Sequence, residues 1–171
     1  RCSIHLRDEK AGLFRGCVGV GDDANIDAYI KRSLAGMPAD GMTLELLRTK
    51  RPVIVPNART DPRIIKSTAL FWRIHSMMAI PMIFGDEVIG VIYLDDMDRP
   101  HAFTAADAEI ATVFARLAAV AVTHAQSRIE LRSKLDASKR QIRALRRSAA
   151  VAERLSDLVL EGSDLDALVQ S

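Results

Sequence analysis

The sequence is poor in cysteine and in aromatic residues, and it lacks long apolar runs. Its two cysteines, Cys2 and Cys17, are too few for the disulfide framework of a small secreted domain. They could face each other across a first hairpin and respond to oxidation, or they could be structural thiols without reactivity. No apolar run reaches the ~20 residues of a membrane-spanning helix, and no signal-peptide pattern is present. We therefore expect a cytoplasmic protein that has no membrane partner.

Motifs for catalysis and metal binding are also missing. The glycines of residues 16–21 have the wrong spacing for a dinucleotide fingerprint, and no P-loop lysine follows them. Asp95, Asp96 and Asp98 are not followed by the glycine and glutamate of a calcium loop, so they are interpreted as a solvated turn. The four histidines are not spaced as helical zinc ligands. The sequence predicts no metal site and no enzyme, and it leaves any cofactor unidentified.

The net charge is small but unevenly distributed along the chain. The net charge is +2 and 49% of the residues are hydrophobic, which suits one folded core. Residues 128–154 hold nine Lys or Arg and three Asp or Glu, a net charge of +6, whereas the rest of the chain carries a net charge of −4. We place a domain boundary near Ala125 on this change. Contact of the basic segment with nucleic acid is less well supported, because coiled-coil flanks are normally charged and no aromatic residues are interleaved.

The middle of the chain holds the most informative pattern. Met77 to Phe84 and Val88 to Leu94 are apolar runs of strand length, and a tight turn at residues 85–87 separates them. Thr104 stands three residues before Asp107, which is the spacing of a capping box. These residues predict a β-hairpin followed by a long helix.

The preceding residues predict further short elements. Alternation at Ser3 to Leu6 and the run from Leu13 to Val20 indicate a first hairpin. Further patterns predict a helix over 25–34 ended by Gly36, a helix over 42–49, an edge strand over 52–55, and a helix or loop over 64–72 opened by Asp61-Pro62.

In this order, the segments resemble a GAF domain, the small-molecule sensory module of many bacterial regulators. The resemblance rests on Ser76 and Pro81, on the return Gly85 to Val91, on Pro100 to Asp107, on the alanine-rich stretch from Ile110 to Ala125, and on the upstream stretch from Leu46 to Arg63. It implies an α+β fold with a central antiparallel sheet flanked by helices. It also implies a sensory domain over residues 1–126 whose N-terminal part precedes residue 1.

A GAF pocket lies between the sheet and the connecting helices and loops. The resemblance makes apolar and aromatic residues of those segments candidates to line it: Phe14, Tyr29, Phe71, Trp72, Met78 and Tyr93, with His75 as a further candidate. All of them could equally be core residues. Trp72 and Tyr93 are the best candidates, since each joins an apolar body to a polar tip that could orient a ligand.

A heptad pattern continues the last GAF helix and predicts a coiled coil over residues 127–161. The proposed dimer seam contains Leu117, Ala121, His124, Leu131, Leu135, Ile142, Leu145, Ala149 and Ala152. His124 and Arg128 make this seam weak, which suits either a signalling helix with two accessible registers or a marginal dimer stalk. Gly162 predicts the end of the helix, and residues 162–171 are interpreted as the start of a further unit.

These features predict a ligand-sensing, dimerising module of a bacterial transcriptional regulator that resembles the PucR or CdaR kind. DNA would be contacted through a helix-turn-helix domain outside this chain. Alternatives are a sensory module of a histidine kinase or other signalling enzyme, and a purely structural dimerisation domain. The cysteine set of free methionine sulfoxide reductases is absent, as are the motifs of cyclic-nucleotide and bilin binding. The small-molecule ligand therefore stays unidentified.

Overall fold

The computed structural model describes the backbone of residues 1–169 and the side chains of residues 1–154. One antiparallel sheet has the strand order β3-β2-β1-β6-β5-β4. Its strands are β1 (Cys2–Asp8), β2 (Leu13–Val20), β3 (Leu34–Ala35), β4 (Val53–Val55), β5 (Ser76–Phe84) and β6 (Glu87–Asp96). The helices of the described residues are α1 (Ile26–Ile30), α2 (Gly41–Thr49), α3 (Lys66–Phe71) and α4 (Ala105–Val169). The predicted α+β class with an antiparallel sheet and a long last helix is confirmed.

Both predicted hairpins are present. β1 pairs with β2, and β5 pairs with β6 around a turn in which Gly85 has a φ of 60°. Glycine suits this left-handed position because it has no Cβ to clash with the backbone. The β5–β6 ladder contains a bulge, since its register shifts by one residue between Met82 and Ile83. This bulge decides which side chains of β5 share a face with those of β6.

The sheet separates two apolar clusters. One contains Leu46 of α2, Val55 of β4, and Met77 and Tyr93 of the central hairpin. The opposite face carries Met78, Ile80 and Met82, which pack with alanines of α4. Strand side chains alternate between faces, so neighbouring methionines of β5 belong to different clusters.

Helix α1 lies directly against β2 at two glycines. A Cβ at Gly16 would stand 1.9 Å from the carbonyl oxygen of Ile30, and one at Gly19 would stand 2.5 Å from the Ile30 side chain. The helix predicted over 25–34 is shorter than expected, because the chain turns back to the sheet. Gly16 N donates to Ser33 O at 3.1 Å, and Leu34 belongs to β3. Pairing with β2 therefore overrides the helical periodicity.

The segment predicted as a helix or loop over 64–72 contains the short helix α3, and Asp61 does not cap it. The residue at its N-cap position is Ile65, whose side chain makes no capping hydrogen bond. Asp61 instead binds Arg63, with 2.6 Å between Oδ2 and Nη2, while Arg63 also reaches Glu45 of α2 at 2.9 Å. This ion-pair network lowers the pKa of Asp61, chiefly through its hydrogen bonds with Arg63. It links α2 to the loop that leads into α3.

The start of α4 follows the predicted capping box. Thr104 N donates to Asp107 Oδ2 at 2.8 Å, and Asp107 N donates to Thr104 Oγ1 at 3.3 Å. Ser76 anchors the preceding loop, because its hydroxyl donates to Arg99 O at 2.8 Å and accepts from Ala102 N at 3.3 Å. The buried serine of the motif thus holds the connection between the hairpin and the helix.

The far part of α4 differs from the prediction at one point. The helix runs through Gly162 to Val169, so the predicted stop at Gly162 is wrong. The chain divides into two compact units, residues 1–123 and 124–171. The interpretation of residues 162–171 as the start of a further unit stays a prediction, and residues 170–171 lie outside the described part. Among the described helices, none combines the length and apolar character needed to cross a lipid bilayer.

Candidate ligand-binding site

A cavity of about 110 Å³ lies within the first unit, on the sheet face that carries Tyr93. Its walls come from β1, β5 and β6, from the segment between α1 and α2, and from residues 64–74 around α3. This is room for several water-sized groups. Most of the lining is apolar, and a few polar side chains converge on it, as in small-molecule sites generally.

His5 is a buried imidazole in the β1 wall. Its Nε2 lies 2.9 Å from Ser33 Oγ, and the single hydroxyl proton of Ser33 is donated to Ile30 O at 2.7 Å. Ser33 Oγ must therefore accept from His5, which places the imidazole proton on Nε2. Nδ1 is then a hydrogen-bond acceptor, and it is buried without a partner within the described residues. Burial lowers the pKa of His5 to about 4.

Tyr93 lies beside His5, with ring centroids 5.1 Å apart and an edge-to-face arrangement. Its hydroxyl is 2.6 Å from Thr43 Oγ1, and Thr43 donates its own proton to Asp40 Oδ2 at 2.6 Å. Because a carboxylate only accepts, Tyr93 donates to Thr43, and the lone pairs of its oxygen stay available. Burial raises the pKa of the Tyr93 phenol, which keeps the donor proton in place.

The third polar group is an ion pair at the end of β6. Asp95 Oδ1 lies 2.9 Å from Arg1 Nε, and the side chains of both residues are less than one-tenth exposed. Arg1 Nε therefore lies within reach of both carboxylate oxygens, and its hydrogen bond is directed to Oδ2 at 3.1 Å. Burial raises the pKa of Asp95, while the Arg1 charge opposes that shift. The Arg1 guanidinium lies over the Trp72 ring, 4.7 Å from its centroid, and Nη2 reaches Trp72 O at 3.4 Å.

The structure places the predicted ligand residues in different parts of the fold. Trp72 and Tyr93 both line the cavity. Tyr29 and Phe71 contact the Trp72 ring edge-to-face, at 6.2 Å and 5.0 Å between centroids, but both are largely exposed and neither lines the cavity. Phe14 is a core residue of the same sheet face, outside the lining. The ligand-binding role of each residue stays a prediction.

Met78 and His75 lie elsewhere. Met78 is fully buried on the opposite sheet face, among residues that pack against α4. The β5–β6 bulge explains this, because an unbroken hairpin register would pair Tyr93 with Met78, whereas the shifted register pairs Tyr93 with Ala79. His75 uses its backbone to bind Ala58 and Asp96, and it does not line the cavity.

Sequence reasoning missed the polar members of this site. The sequence offers His5 only as one of four histidines without metal-ligand spacing, and it predicts a solvated turn at Asp95, yet Asp95 belongs to β6 and is 7% exposed. The signal available was alternation: Asp95 is two residues beyond Tyr93 and therefore shares its face. No comparable pattern identified Arg1, whose side chain reaches the site through a tertiary contact.

The two cysteines do not pair across the first hairpin. Cys2 is opposite Val20, and Cys17 is the extra residue of a bulge between Ile4 and His5. Both thiols are free, and burial raises the pKa of Cys2. Neither cysteine lines the cavity.

The proposed seam residues of α4 are exposed. Large apolar members include Leu117 in the first unit and Leu131, Leu135, Ile142 and Leu145 in the second, each about half exposed or more. Ala121, His124, Ala149 and Ala152 are exposed as well. The same heptad spacing extends upstream to Phe114 and Ile110, which are 65% and 60% exposed and which the sequence analysis did not include. Their role in a dimer stays a prediction.

Comparison with known proteins identifies the family to which this fold and cavity belong. The sequence profile of the GAF domain matches residues 1–122, so the chain belongs to the GAF domain family of small-molecule-sensing regulatory modules. No curated protein matches the chain.

Similar solved structures show the same fold. The GAF domain/HD domain protein from Geobacter sulfurreducens has a TM-score of 0.63 at 18% identity, covering 73% of this chain and 80% of that chain. A putative two-component sensor histidine kinase domain from Sinorhizobium meliloti 1021 gives 0.56 at 20% identity, covering 77% and 83%. The type II free methionine-R-sulfoxide reductase from Thermoplasma acidophilum gives 0.55 at 19% identity, covering 69% and 74%.

Proposed function

We propose that this chain is the sensory and dimerising module of a cytoplasmic bacterial transcriptional regulator of the PucR or CdaR kind. Binding of a small molecule in the cavity changes how two α4 helices pair, and that change reaches a helix-turn-helix domain outside this chain. The observation that carries the proposal is the cavity itself. It lies in a GAF fold, and the polar side chains of His5, Tyr93 and Asp95 line it together with apolar and aromatic residues. Such a mixture is typical of small-molecule sites.

The α4 surface supports the dimerising part of the proposal. Apolar side chains at Ile110, Phe114 and Leu117 are each more than half exposed, and they continue the heptad spacing of the basic segment downstream. The opposite side of this part of the helix packs on the sheet through alanines. A second copy of the same helix would cover the apolar row.

The proposal assigns no catalysis to this chain. One of the similar structures is a free methionine-R-sulfoxide reductase, so the fold alone is compatible with an enzyme. Against that activity stands the cavity lining, in which the described residues include no cysteine to act as a redox nucleophile. We expect the purified chain to leave free methionine-R-sulfoxide unreduced in the presence of a thiol reductant.

A second candidate output is a histidine kinase. The similarity to the putative sensor histidine kinase domain from Sinorhizobium meliloti 1021 favours it, as a likeness of fold. The full-length sequence distinguishes the two. A phosphoacceptor histidine region downstream indicates the kinase, and a helix-turn-helix indicates the transcriptional regulator.

Native mass spectrometry tests the sensory proposal. Protein purified without added ligand is expected to give a dimer that carries an extra small mass. Thr68 and Ser67 offer a matched pair on α3, because both are exposed hydroxyl residues but only Thr68 lines the cavity. Thr68→Phe is expected to block the cavity and lose the extra mass, whereas Ser67→Phe retains it. A mass that survives in both variants would place the ligand elsewhere, and a monomer would contradict the helix-pairing mechanism.

A further inference from the structure

Several polar groups that line the cavity can accept hydrogen bonds. Asp95 supplies a carboxylate, and the Tyr93 oxygen keeps its lone pairs because it donates its proton to Thr43. Ser3 and Thr68 contribute hydroxyls, which can donate or accept. A ligand that brings donors would find partners among these groups.

The protein already places a donor-rich cation in this environment. The Arg1 guanidinium pairs with Asp95 at 2.9 Å and lies 4.7 Å from the centroid of the Trp72 ring. A carboxylate together with an aromatic face is the combination that recognises organic cations. Arg1 Nε donates to Asp95 Oδ2 and lies 2.9 Å from Oδ1, so the guanidinium itself occupies the cation position.

We propose that the cavity binds a small organic cation with a guanidinium or primary ammonium group, and that Arg1 holds the cation position between Asp95 and Trp72 when the ligand is absent. This inference rests on the proposed sensory function. Ligand entry displaces the Arg1 guanidinium, and the ligand donates to Asp95 while its charge replaces that of Arg1. The exchange leaves the net charge of the buried site unchanged.

An anionic ligand fits this wall less well. An anion drawn to Arg1 would lie beside the Asp95 carboxylate and would compete with it for the same guanidinium. It would also offer acceptors to the Asp95 carboxylate, which only accepts hydrogen bonds. Like charges at this distance in a buried site oppose binding.

Trp72 makes the test direct, because it is the one tryptophan of the sequence and lies in the cavity wall. Its fluorescence is titrated at constant ionic strength with methylguanidinium, with methylurea as the uncharged isostere, and with acetate as the anion. Four proteins are compared: the unsubstituted chain, Arg1→Ala, Arg1→Ala/Asp95→Asn, and Arg7→Ala. Arg7→Ala is the control, since Arg7 is an exposed arginine of β1 outside the cavity lining.

Removal of Arg1 opens the position that the ligand cation would take. We expect Arg1→Ala to bind methylguanidinium about tenfold more tightly than the unsubstituted chain, the size of one charge-assisted hydrogen bond. Methylurea and acetate should bind weakly to every variant. The double variant should lose the preference for the cation, and Arg7→Ala should match the unsubstituted chain. Equal binding of methylurea or acetate to Arg1→Ala, or a cation preference that survives Asp95→Asn, would overturn the inference.

If Arg1→Ala does not fold, the unsubstituted chain still provides a test. Low-millimolar methylguanidinium should raise its Tm more than methylurea does, because a ligand specific for the native state shifts unfolding. Equal Tm shifts for the two compounds would overturn the inference.

The two proposals fail in different ways. A neutral or anionic mass bound to the purified chain and lost in Thr68→Phe would overturn the cation inference and leave the sensory function standing. If neither the purified chain nor any titration shows a bound molecule, the sensory function fails as well.

Discussion

At the scale of single residues, the cavity wall depends on polar side chains whose protonation the fold holds fixed. Burial lowers the pKa of His5 to about 4, and the Ser33 hydrogen bond fixes its proton on Nε2. Burial also raises the pKa of Tyr93, so that it donates to Thr43. His5 and Tyr93 therefore keep the same donor and acceptor atoms across the neutral pH range.

The lowered pKa of His5 predicts that the stability of the fold changes with pH. The folded chain binds the His5 proton less tightly than the unfolded chain, so this contribution to stability is complete above the unfolded pKa of about 6.5 and is lost as pH falls towards about 4. The loss amounts to roughly 3 kcal/mol in the free energy of unfolding. Urea unfolding at about pH 7 and about pH 4.5 should show a smaller pH difference for His5→Gln than for the unsubstituted chain.

His101→Gln is the control for that experiment, because His101 is exposed. Its pH difference should equal that of the unsubstituted chain, and acidic groups titrate alike in all three proteins. An equal pH difference in His5→Gln would contradict the buried neutral imidazole.

Tyr93→Phe tests the Tyr93-to-Thr43 hydrogen bond. The substitution removes a buried donor while Thr43 goes on donating to Asp40, and it should lower the free energy of unfolding by about 1 kcal/mol. Urea denaturation at neutral pH measures this. Tyr29→Phe is the matched control, because Tyr29 is 42% exposed, and it should change stability by less than about 0.5 kcal/mol. Equal effects of the two substitutions would contradict the role given to the Tyr93 hydroxyl.

The sequence indicated Trp72 and Tyr93 but not Asp95, His5 or Arg1. Large residues with a polar tip are recognisable as candidates wherever they stand. A carboxylate in an acidic run is normally solvated, and only the extension of β6 to Asp96 and the contact with Arg1 bury Asp95. Burial of this kind depends on tertiary packing, which local spacing does not reveal.

At the scale of elements, features that depend on neighbouring residues were predicted, whereas features that depend on long-range packing were not. The Gly85 turn and the Thr104 capping box use only neighbouring residues, and both were predicted. The α1 boundary depends on pairing with β2, and the face of Met78 depends on a bulge, so neither could be predicted from periodicity. The break expected at Gly162 is likewise absent from the helix.

The close contact of α1 with β2 predicts a strong effect of a small substitution. Gly16→Ala would place a Cβ 1.9 Å from Ile30 O, so α1 would have to move, at a cost of about 3 kcal/mol or more in the free energy of unfolding. Chemical denaturation measures the loss. Gly12→Ala is the control: its φ is 66° but nothing lies within 4 Å, and backbone strain alone should cost about 1 kcal/mol. A Gly16→Ala chain as stable as Gly12→Ala would contradict the packing of α1.

At the scale of the whole molecule, the apolar row of α4 formed by Ile110, Phe114 and Leu117 is the main unpartnered surface proposed for assembly. Seam positions 110, 114 and 117 face away from the sheet, while alanines on the other side of the helix face it. The helix is therefore apolar on two sides in the first unit, which a lone monomer would not favour.

Leu117→Lys tests this seam by placing a charge among the apolar residues. If two helices pair there, the variant should shift the dimer towards monomer, which analytical ultracentrifugation over a range of concentrations measures. Gln126→Lys adds the same charge to the same helix outside the seam and should leave the assembly unchanged. Identical sedimentation of Leu117→Lys and the unsubstituted chain would show that this row is not the interface.

The inner side of α4 has a mechanical consequence of its own. Ala108, Ala115 and Ala119 are buried where the helix meets the sheet, so the helix side of this contact presents mostly methyl groups, whereas the sheet side carries Met78, Ile80 and Met82. Long side chains form the ridges that hold a packed helix to discrete positions, and methyl groups form only low ridges. A small rotation or shift of this part of α4 would therefore require few rotamer changes on the helix, and the flexible methionines of the sheet would adapt to it.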